Sequence, residues 1–190
     1  IGSGLVGSEM CIRDSREIMQ VKDYCLPRLG GGYTVDHVSF TLNQGEVLGI
    51  YGLMGAGRTE LVESLMGLHA EATGTIVIGE ETITRPNVTD QIARGMVLVP
   101  EDRQKDGLVQ TMSISDNLLL TSIGHFTRNG MIDRRRCREA VKKTVADMQV
   151  KVADVRHLIT SLSGGNQQKV VIGKCVMANA RIFMMDEPCL

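Results

Sequence analysis

The sequence predicts an α/β fold with a mainly parallel core sheet, an antiparallel β subdomain and an inserted helical subdomain. A glycine-rich loop at Gly52–Thr59 lies between an apolar strand pattern and a helix pattern. An apolar run at Ile182–Met185 leads directly into Asp186 and Glu187. Helical patterns separate these two segments, and strands that alternate with helices are typical of a parallel sheet.

The first half of the chain contains three predicted strands and one predicted helix. Residues 35–42 alternate between apolar and polar, as a half-buried strand does. After a turn at 43–45, residues 46–51 are more uniformly apolar, which predicts a central strand that leads into the glycine loop. Residues 59–66 are predicted to form a helix. Residues 74–79 are predicted to form a strand in an antiparallel ribbon beside the main sheet.

In the second half, predicted helices are inserted between strands, which indicates a helical subdomain at about 105–165. Asp133 is a predicted N-cap. The predicted elements are a short helix ending at 91–94, a strand at 96–100, helices at 113–120, 133–148 and 164–176, and a last strand at 181–185.

Both ends of the sequence are predicted not to be native. Residues 1–15 correspond to the translation of a transposase adapter used in DNA sequencing, and residues 189–190 are compatible with the opposite adapter. We therefore expect one incomplete domain at 16–188, cut shortly after the strand that ends at Asp186. A natural disordered N-terminus is the alternative.

The composition argues against nucleic-acid binding and against a membrane span. The net charge is −1 and aromatic residues make up 3% of the chain, so nothing indicates a nucleic-acid surface or a base-stacking platform. The basic run Arg134–Arg136 is expected to be the solvated start of a helix. No apolar run approaches the length of a membrane span, so work at a membrane would require docking on another subunit.

Three cysteines remain when the two ends are set aside, and they form no CxxC pair. This spacing predicts free thiols rather than a metal site or a disulfide framework. Cys137 and Cys175 lie in helical patterns and are predicted to be small core residues. The histidines His37, His69, His125 and His157 are assigned no function.

The glycine loop is predicted to bind phosphate. Glycines allow the backbone to curl so that successive N–H groups point inward, and the following helix N-terminus adds positive potential. The Thr59 hydroxyl is predicted to hold Mg²⁺. The predicted nucleotide-binding residues of this loop are Gly52, Gly55, Ala56, Gly57, Arg58, Thr59 and Glu60.

Two residues of this loop depart from the usual pattern. Arg58 occupies the position of the usual lysine, and its guanidinium is broader and less adaptable than an ammonium group. Glu60 places a carboxylate near phosphate where a second hydroxyl is commoner. The sequence therefore predicts a site that binds nucleotide but hydrolyses it poorly.

Two carboxylates follow the last apolar strand. Because a parallel sheet brings the ends of neighbouring strands to one edge, Asp186 is predicted to lie near Thr59 and to bind Mg²⁺ through water. Glu187 is predicted to face the attacking water as the catalytic base or polarising group.

A second predicted anion site lies at Leu162–Gln168, a Ser-Gly-Gly-X-Gln segment that opens a helix. Backbone N–H groups and the Ser163 hydroxyl would suit a terminal phosphate. Since the glycine loop already supplies one phosphate cradle, this second site is predicted to act across a dimer. Its predicted nucleotide-binding residues are Ser163, Gly164, Gly165 and Gln167.

Four segments together resemble the second nucleotide-binding domain of bacterial simple-sugar importers of the ribose, galactose and xylose type, which are ABC transporters. The resemblance covers nearly all of 16–188 and implies a P-loop NTPase fold of ABC type. The segments that carry it are Gly49–Leu61, Val99–Arg103, Asp106–Leu108 and Leu162–Gln168.

The resemblance implies a fused or partner nucleotide-binding domain, transmembrane permease subunits and, indirectly, a periplasmic sugar-binding protein. It also implies ATP and Mg²⁺ as cofactors and a peripheral place on the cytoplasmic face of the inner membrane. Ser163 and Gly165 would complete the partner domain's ATP site. Glu101, a predicted nucleotide-binding residue, stands where many ABC domains have the glutamine that contacts Mg²⁺ and water, and the loop around it would relay closure to the membrane subunits. Tyr33 is a candidate for stacking on adenine.

The sequence also bears on three alternatives to sugar import. A nucleoside importer uses paired domains of the same kind. A regulatory domain that binds nucleotide without hydrolysing it would fit Arg58 and Glu60. A small-molecule kinase is disfavoured, because it would not need the Leu162–Gln168 segment. The isolated domain is expected to be inactive, and the open edge of its cut sheet makes it prone to aggregation.

Overall fold

The computed structural model describes residues 16–53 and 55–187. The predictions about 1–15, Met54 and 188–190 lie outside the described residues. The chain divides into two compact units, one holding the residues up to 65 together with 69–86, the other holding 66–68 and the residues from 87 onward.

The first unit contains a four-stranded antiparallel sheet in the order β2-β1-β3-β4. The predicted strands at 35–42 and 74–79 are confirmed, whereas β1, the strand that pairs with both of them, was not predicted. Register shifts interrupt its ladder with β2 between Val21 and Tyr24, so its apolar residues do not keep a regular period. The strands are β1 (Glu17–Pro27), β2 (Tyr33–Asn43), β3 (Thr73–Ile78) and β4 (Glu81–Ile83).

Helix α1 (Arg58–Met66) confirms the predicted helix after the glycine loop. Its residues Leu61 and Leu65 are buried. The Tyr24 hydroxyl of β1 donates a hydrogen bond to the Ser64 carbonyl oxygen at 2.9 Å. Tyr24 is 1% exposed, and burial raises the pKa of its phenol to about 12. This contact fixes the helix on the sheet.

The predicted central strand at residues 46–51 is wrong. These residues lie outside every strand of the described chain, and Val47 and Tyr51 are each 96% exposed. A strand forms only where a neighbour accepts its backbone hydrogen bonds. Here the ladder of β2 ends at Asn43, whose N–H donates to the Glu46 carboxylate at 2.8 Å, closing a turn. The apolar run supplied strand-like residues without a pairing partner.

The second unit contains a parallel pair, β5 (Met96–Val99) with β8 (Ile182–Met185). No helix in the described part of the chain is both long and apolar enough to cross a membrane. The remaining elements are α2 (Val88–Ala93), a π-helical turn at Arg103–Gly107, α3 (Ile114–Leu119), a 3₁₀ turn at Ile123–Phe126, the hairpin β6 (Thr127–Arg128) and β7 (Met131–Ile132), α4 (Arg134–Asp147), a 3₁₀ turn at Ile159–Ser161 and α5 (Gly164–Met177).

Helix α5 lies at the centre of this unit's core. Val170 and Val171 are fully buried within the core cluster. At Gly173 an added Cβ would lie 2.9 Å from Thr144 Cγ2 and 3.1 Å from Leu118 Cδ2, so glycine allows α5 to approach α4 and α3 closely. The predicted core positions Cys137 and Cys175 are confirmed as buried.

Candidate nucleotide-binding site

The glycine loop lies in the first unit and ends on helix α1. Gly55 and Gly57 have left-handed backbone, with φ of 76° and 83°. A Cβ added at Gly57 would overlap the carbonyl oxygen of Thr34 in β2, whereas nothing lies within 4 Å of one at Gly55. Glycine is therefore required at 57 for close packing and at 55 for backbone conformation. The open side of Gly55 leaves room for a ligand against the loop.

The side chain of Arg58 packs against this loop. A Cβ added at Gly52 would lie 3.0 Å from the Ala56 Cβ and 3.6 Å from the Arg58 Cδ, so the arginine stem lies against Gly52. Thr59 and Glu60 follow in the first turn of α1, and both are partly exposed. A curled backbone, a guanidinium and a hydroxyl at a helix start fit a polyphosphate with its cation.

The strand-end carboxylates lie in the second unit. The parallel register pairs Val99 with Met185, so Glu101 and Asp186–Glu187 follow adjacent strands at one sheet edge. Asp186 is 7% exposed, and its N–H donates to the Val99 carbonyl oxygen at 3.0 Å. Glu187 is exposed and has left-handed backbone, with φ of 40°. A confined carboxylate beside exposed ones suits a hard cation such as Mg²⁺.

The π-helical turn after Glu101 is anchored at both ends. Asp102 caps its start, accepting from the N–H groups of Gln104 at 2.9 Å and Lys105 at 3.1 Å. The Lys174 ammonium of α5 donates to the Gly107 carbonyl oxygen at 2.5 Å. Burial lowers the pKa of Lys174. The turn is thus held to the helix that carries the second predicted anion site.

That second site presents an open helix end. Ser163 is exposed at the N-cap of α5, and among the described residues its hydroxyl caps no helix N–H group. The hydroxyl instead accepts from the Asn166 Nδ2 at 3.0 Å. A Cβ added at Gly164 would lie 2.6 Å from the Arg103 Nη2, whereas at Gly165 nothing lies within 4 Å. Arg103 therefore lies beside the positive end of α5.

Gln167 is buried beneath this turn rather than exposed on it. Its Nε2 donates to the carbonyl oxygens of Ile159 and Leu162, each at 3.3 Å. Its Oε1 accepts from the Gln104 Nε2 at 3.4 Å. The side chain positions the Ser163–Gly165 segment, a role that the motif spacing alone did not reveal.

The structure brings the predicted residues together in three groups, namely the glycine loop, the strand-end carboxylates and the start of α5. Thr59 belongs to the first unit and Asp186 to the second, so a shared Mg²⁺ site stays a prediction. Tyr33 is 50% exposed and its ring meets His37 edge-on at 5.5 Å between centroids. Its role in adenine stacking also stays a prediction.

The sequence profile of the ABC transporter family matches residues 35–190. The chain is 47% identical over 163 residues to the ribose import ATP-binding protein RbsA of Rhodopirellula baltica, covering 85% of this chain and 32% of that protein. It is 42% identical over 156 residues to the xylose import ATP-binding protein XylG of Pectobacterium atrosepticum, covering 81% of this chain and 30% of that protein. The predicted resemblance is confirmed.

Solved structures agree on the fold. A nucleotide-free ATP-binding cassette from an ABC transporter superposes with a TM-score of 0.75 at 22% identity, covering 92% of this chain and 70% of that one. A dimeric cassette in a post-hydrolysis state with ADP and Pi superposes with a TM-score of 0.75 at 20% identity, covering 90% of this chain and 74% of that one. The predicted fold class is confirmed. The chain spans 32% and 30% of the two curated relatives' lengths.

Proposed function

The chain belongs to the ABC transporter family, and from that premise we propose that it is the second ATP-binding domain of a monosaccharide importer. ATP would be held between this domain and a fused or partner domain of the same kind, so that binding draws the two together and hydrolysis releases them. The names of the relatives, which import ribose and xylose, support the substrate class.

The observation that carries this proposal is the open start of α5. Helix N-termini are normally closed by a side chain, yet Ser163 is exposed and leaves the first-turn N–H groups uncapped among the described residues. Gly165 is exposed and faces open space. The guanidinium of Arg103 adds positive charge beside an end that already favours anions. This arrangement suits the terminal phosphate of a nucleotide bound to the partner domain.

The domain's own site is proposed to bind ATP but to hydrolyse it slowly. The loop from Gly52 to Gly57 would hold the phosphates, and Thr59 with Asp186 would hold Mg²⁺. Bound Mg²⁺ neutralises charge on the phosphates during transfer. Glu187 would polarise the attacking water, with Glu101 beside it at the same sheet edge. The partly buried, planar Arg58 replaces the compact lysine charge, which limits turnover.

Coupling to transport is proposed to pass through the turn that follows Glu101. The turn's carbonyl at Gly107 is joined to α5 by Lys174. A movement of α5 on binding the partner's nucleotide would therefore move this turn. The turn would contact transmembrane permease subunits at the cytoplasmic face of the inner membrane, and these would receive sugar from a periplasmic binding protein.

A second candidate is a regulatory domain that binds nucleotide without hydrolysing it. Arg58 and Glu60 in the phosphate loop favour this candidate. Trapping labelled ATP in the intact pump would distinguish the two candidate functions. Occlusion of ATP at both sites, with slow release of phosphate from this domain's site, supports a domain that hydrolyses ATP. Occlusion without any phosphate release at this site supports the regulatory role.

Gly165→Ala tests the proposal without disturbing the fold. The added methyl meets no atom of this chain and replaces glycine inside a helix, so stability should hold or rise slightly. It would occupy the space proposed for the partner's phosphate. In the two-domain protein with its permease, ATPase activity should fall about tenfold or more, equivalent to ~1.4 kcal/mol.

Gly124→Ala is the matched control, because a Cβ there also finds nothing within 4 Å. That variant should keep both its melting temperature and its ATPase activity. If Gly165→Ala left the activity of the assembled pump unchanged, the proposed phosphate contact across the dimer would be wrong.

A further inference from the structure

Three potential metal ligands converge on the β1–β2 hairpin, and none of them belongs to the glycine loop or to the strand-end carboxylates. Asp23, Cys25 and His37 each offer one ligand atom, and these atoms lie within 4.8 Å of one another. The His37 Nδ1 lies 2.5 Å from the Asp23 Oδ1. We propose that these residues form a Zn²⁺ site with an open fourth position.

The backbone around the cluster is built to bring these side chains together. The β1–β2 register shifts between Val21 and Tyr24 and again between Tyr24 and Leu26, so the bulge surrounds Asp23 and Cys25. Asp23 and His37 both have left-handed backbone with φ of 49°. Few non-glycine residues adopt that conformation, and each of these two does so where its side chain meets the other.

The depth of the three side chains suits a site that opens to solvent. Cys25 is buried, and its Sγ accepts from the His37 N–H at 3.4 Å and lies 3.7 Å from the Asp23 carbonyl oxygen. The side chains of Asp23 and His37 are 74% and 58% exposed. A sulfur at the base with an imidazole and a carboxylate at the rim leaves the outer position to water.

The donor set selects the ion. Thiolate, imidazole and carboxylate are the ligands of Zn²⁺, which binds three protein groups and one water in tetrahedral sites. Mg²⁺ and Ca²⁺ require oxygen ligands and would not use the sulfur. Binding releases the thiol proton to solvent, so two ligand charges balance the ion. The imidazole proton would move to Nε2, which lies 3.9 Å from the Asp36 carboxylate, an outer partner that orients the ring.

The hairpin supports the glycine loop, since β2 contributes the Thr34 carbonyl against which Gly57 packs. A bound ion would join the two strands of this hairpin across the bulge. We therefore expect Zn²⁺ to raise the melting temperature of the full chain by several degrees. This effect does not depend on nucleotide or on the proposed transport activity.

Co²⁺ alone is the probe for this site, because a Co²⁺–thiolate bond gives a charge-transfer absorption band that oxygen and nitrogen ligands do not. The full chain should bind one Co²⁺ with that band, and Zn²⁺ should displace it. Cys25→Ser should abolish the band, and His37→Gln should weaken binding about tenfold or more. His37 is exposed, so the second variant remains informative if the first does not fold.

Two matched controls separate the site from generic binding. His69 contacts Glu63 at 2.9 Å and does not belong to the metal-ligand cluster. His69→Gln should therefore leave Co²⁺ binding unchanged. Cys137→Ser removes a buried thiol outside the cluster and should keep the band. Absence of the band in the folded parent chain, or its persistence at full strength in His37→Gln, would overturn the proposal.

Discussion

The Lys174 ammonium group donates to the Gly107 carbonyl oxygen across 2.5 Å, although the two residues are separated by 67 positions in the chain. The contact connects α5 to the turn that follows Glu101. Burial lowers the pKa of Lys174, because desolvation penalises the charged form of the ammonium group. The contact joins the last turn of α5 to the turn proposed to signal, and the start of the same helix is proposed to sense the partner's nucleotide.

Lys174→Met should destabilise the protein by ~1.5–3 kcal/mol, because the Gly107 carbonyl loses a charged donor while the aliphatic stem is kept. Denaturation by urea would measure the change. Lys169→Met on the same helix is the control, since Lys169 donates to the Gln149 carbonyl oxygen at an exposed position and should cost less than ~1 kcal/mol. Equal losses in the two variants would contradict the role given to Lys174.

Gly57→Ala should destabilise the chain by about 3 kcal/mol. Left-handed backbone costs an L-residue ~1–2 kcal/mol, and overlap of the new methyl with the Thr34 carbonyl adds ~1–3 kcal/mol. Gly55→Ala shares the left-handed backbone but meets open space, so only the first cost applies. Urea denaturation of both variants checks the difference, and a Gly57→Ala variant as stable as Gly55→Ala would show that β2 does not pack on the loop.

Stability should fall as pH rises above 10, because burial raises the pKa of the Tyr24 phenol from its ordinary value of 10.0 to about 12 in the folded protein. Between these values the unfolded chain loses the phenol proton while the folded chain keeps it. Ionisation therefore favours unfolding, by up to ~2–3 kcal/mol near pH 12. Melting temperatures measured from pH 8 to 11 should show this loss of stability.

Tyr24→Phe isolates the contribution of this phenol. The variant should lose about 1 kcal/mol at pH 8, where the hydrogen bond to the Ser64 carbonyl is missing. Its stability should then decline less steeply than that of the parent above pH 10. Parallel declines in the two proteins would show that other groups control the alkaline transition.

The parts of the fold that could be predicted from the sequence are those that neighbouring residues determine. The N-cap at Asp133 is confirmed, since its carboxylate accepts from the Arg135 and Arg136 N–H groups, both at 3.0 Å. Capping is decided within four residues, so it can be inferred from sequence. Strand β1 and the false strand at 46–51 depended on which distant segment supplies the backbone partner, and local patterns do not contain that information.

The candidate site likewise has parts that the sequence predicts and parts that depend on distant contacts. The glycine loop and the Ser163–Gly165 segment were predicted because each is a contiguous motif. The buried position of Gln167, the placement of Arg103 beside Gly164 and the convergence of Cys25 with His37 all depend on long-range packing and strand register. No spacing in the sequence indicates these three features, so they emerge only from the folded structure.

The double variant Arg58→Lys with Glu60→Thr should increase hydrolysis at this domain's own site. The stem of Arg58 lies against Gly52, and lysine would keep this stem while replacing the broad, planar guanidinium with a compact ammonium group that adapts better to phosphate. Removing the Glu60 carboxylate takes a like charge away from the phosphates at the start of α1. We expect the turnover assigned to this site to rise about tenfold, measured by phosphate release in the two-domain protein with the partner's own hydrolytic site disabled. Arg58→Lys alone should give a smaller gain, and a double variant that binds ATP normally but releases phosphate no faster than the parent would show that these two residues do not limit hydrolysis.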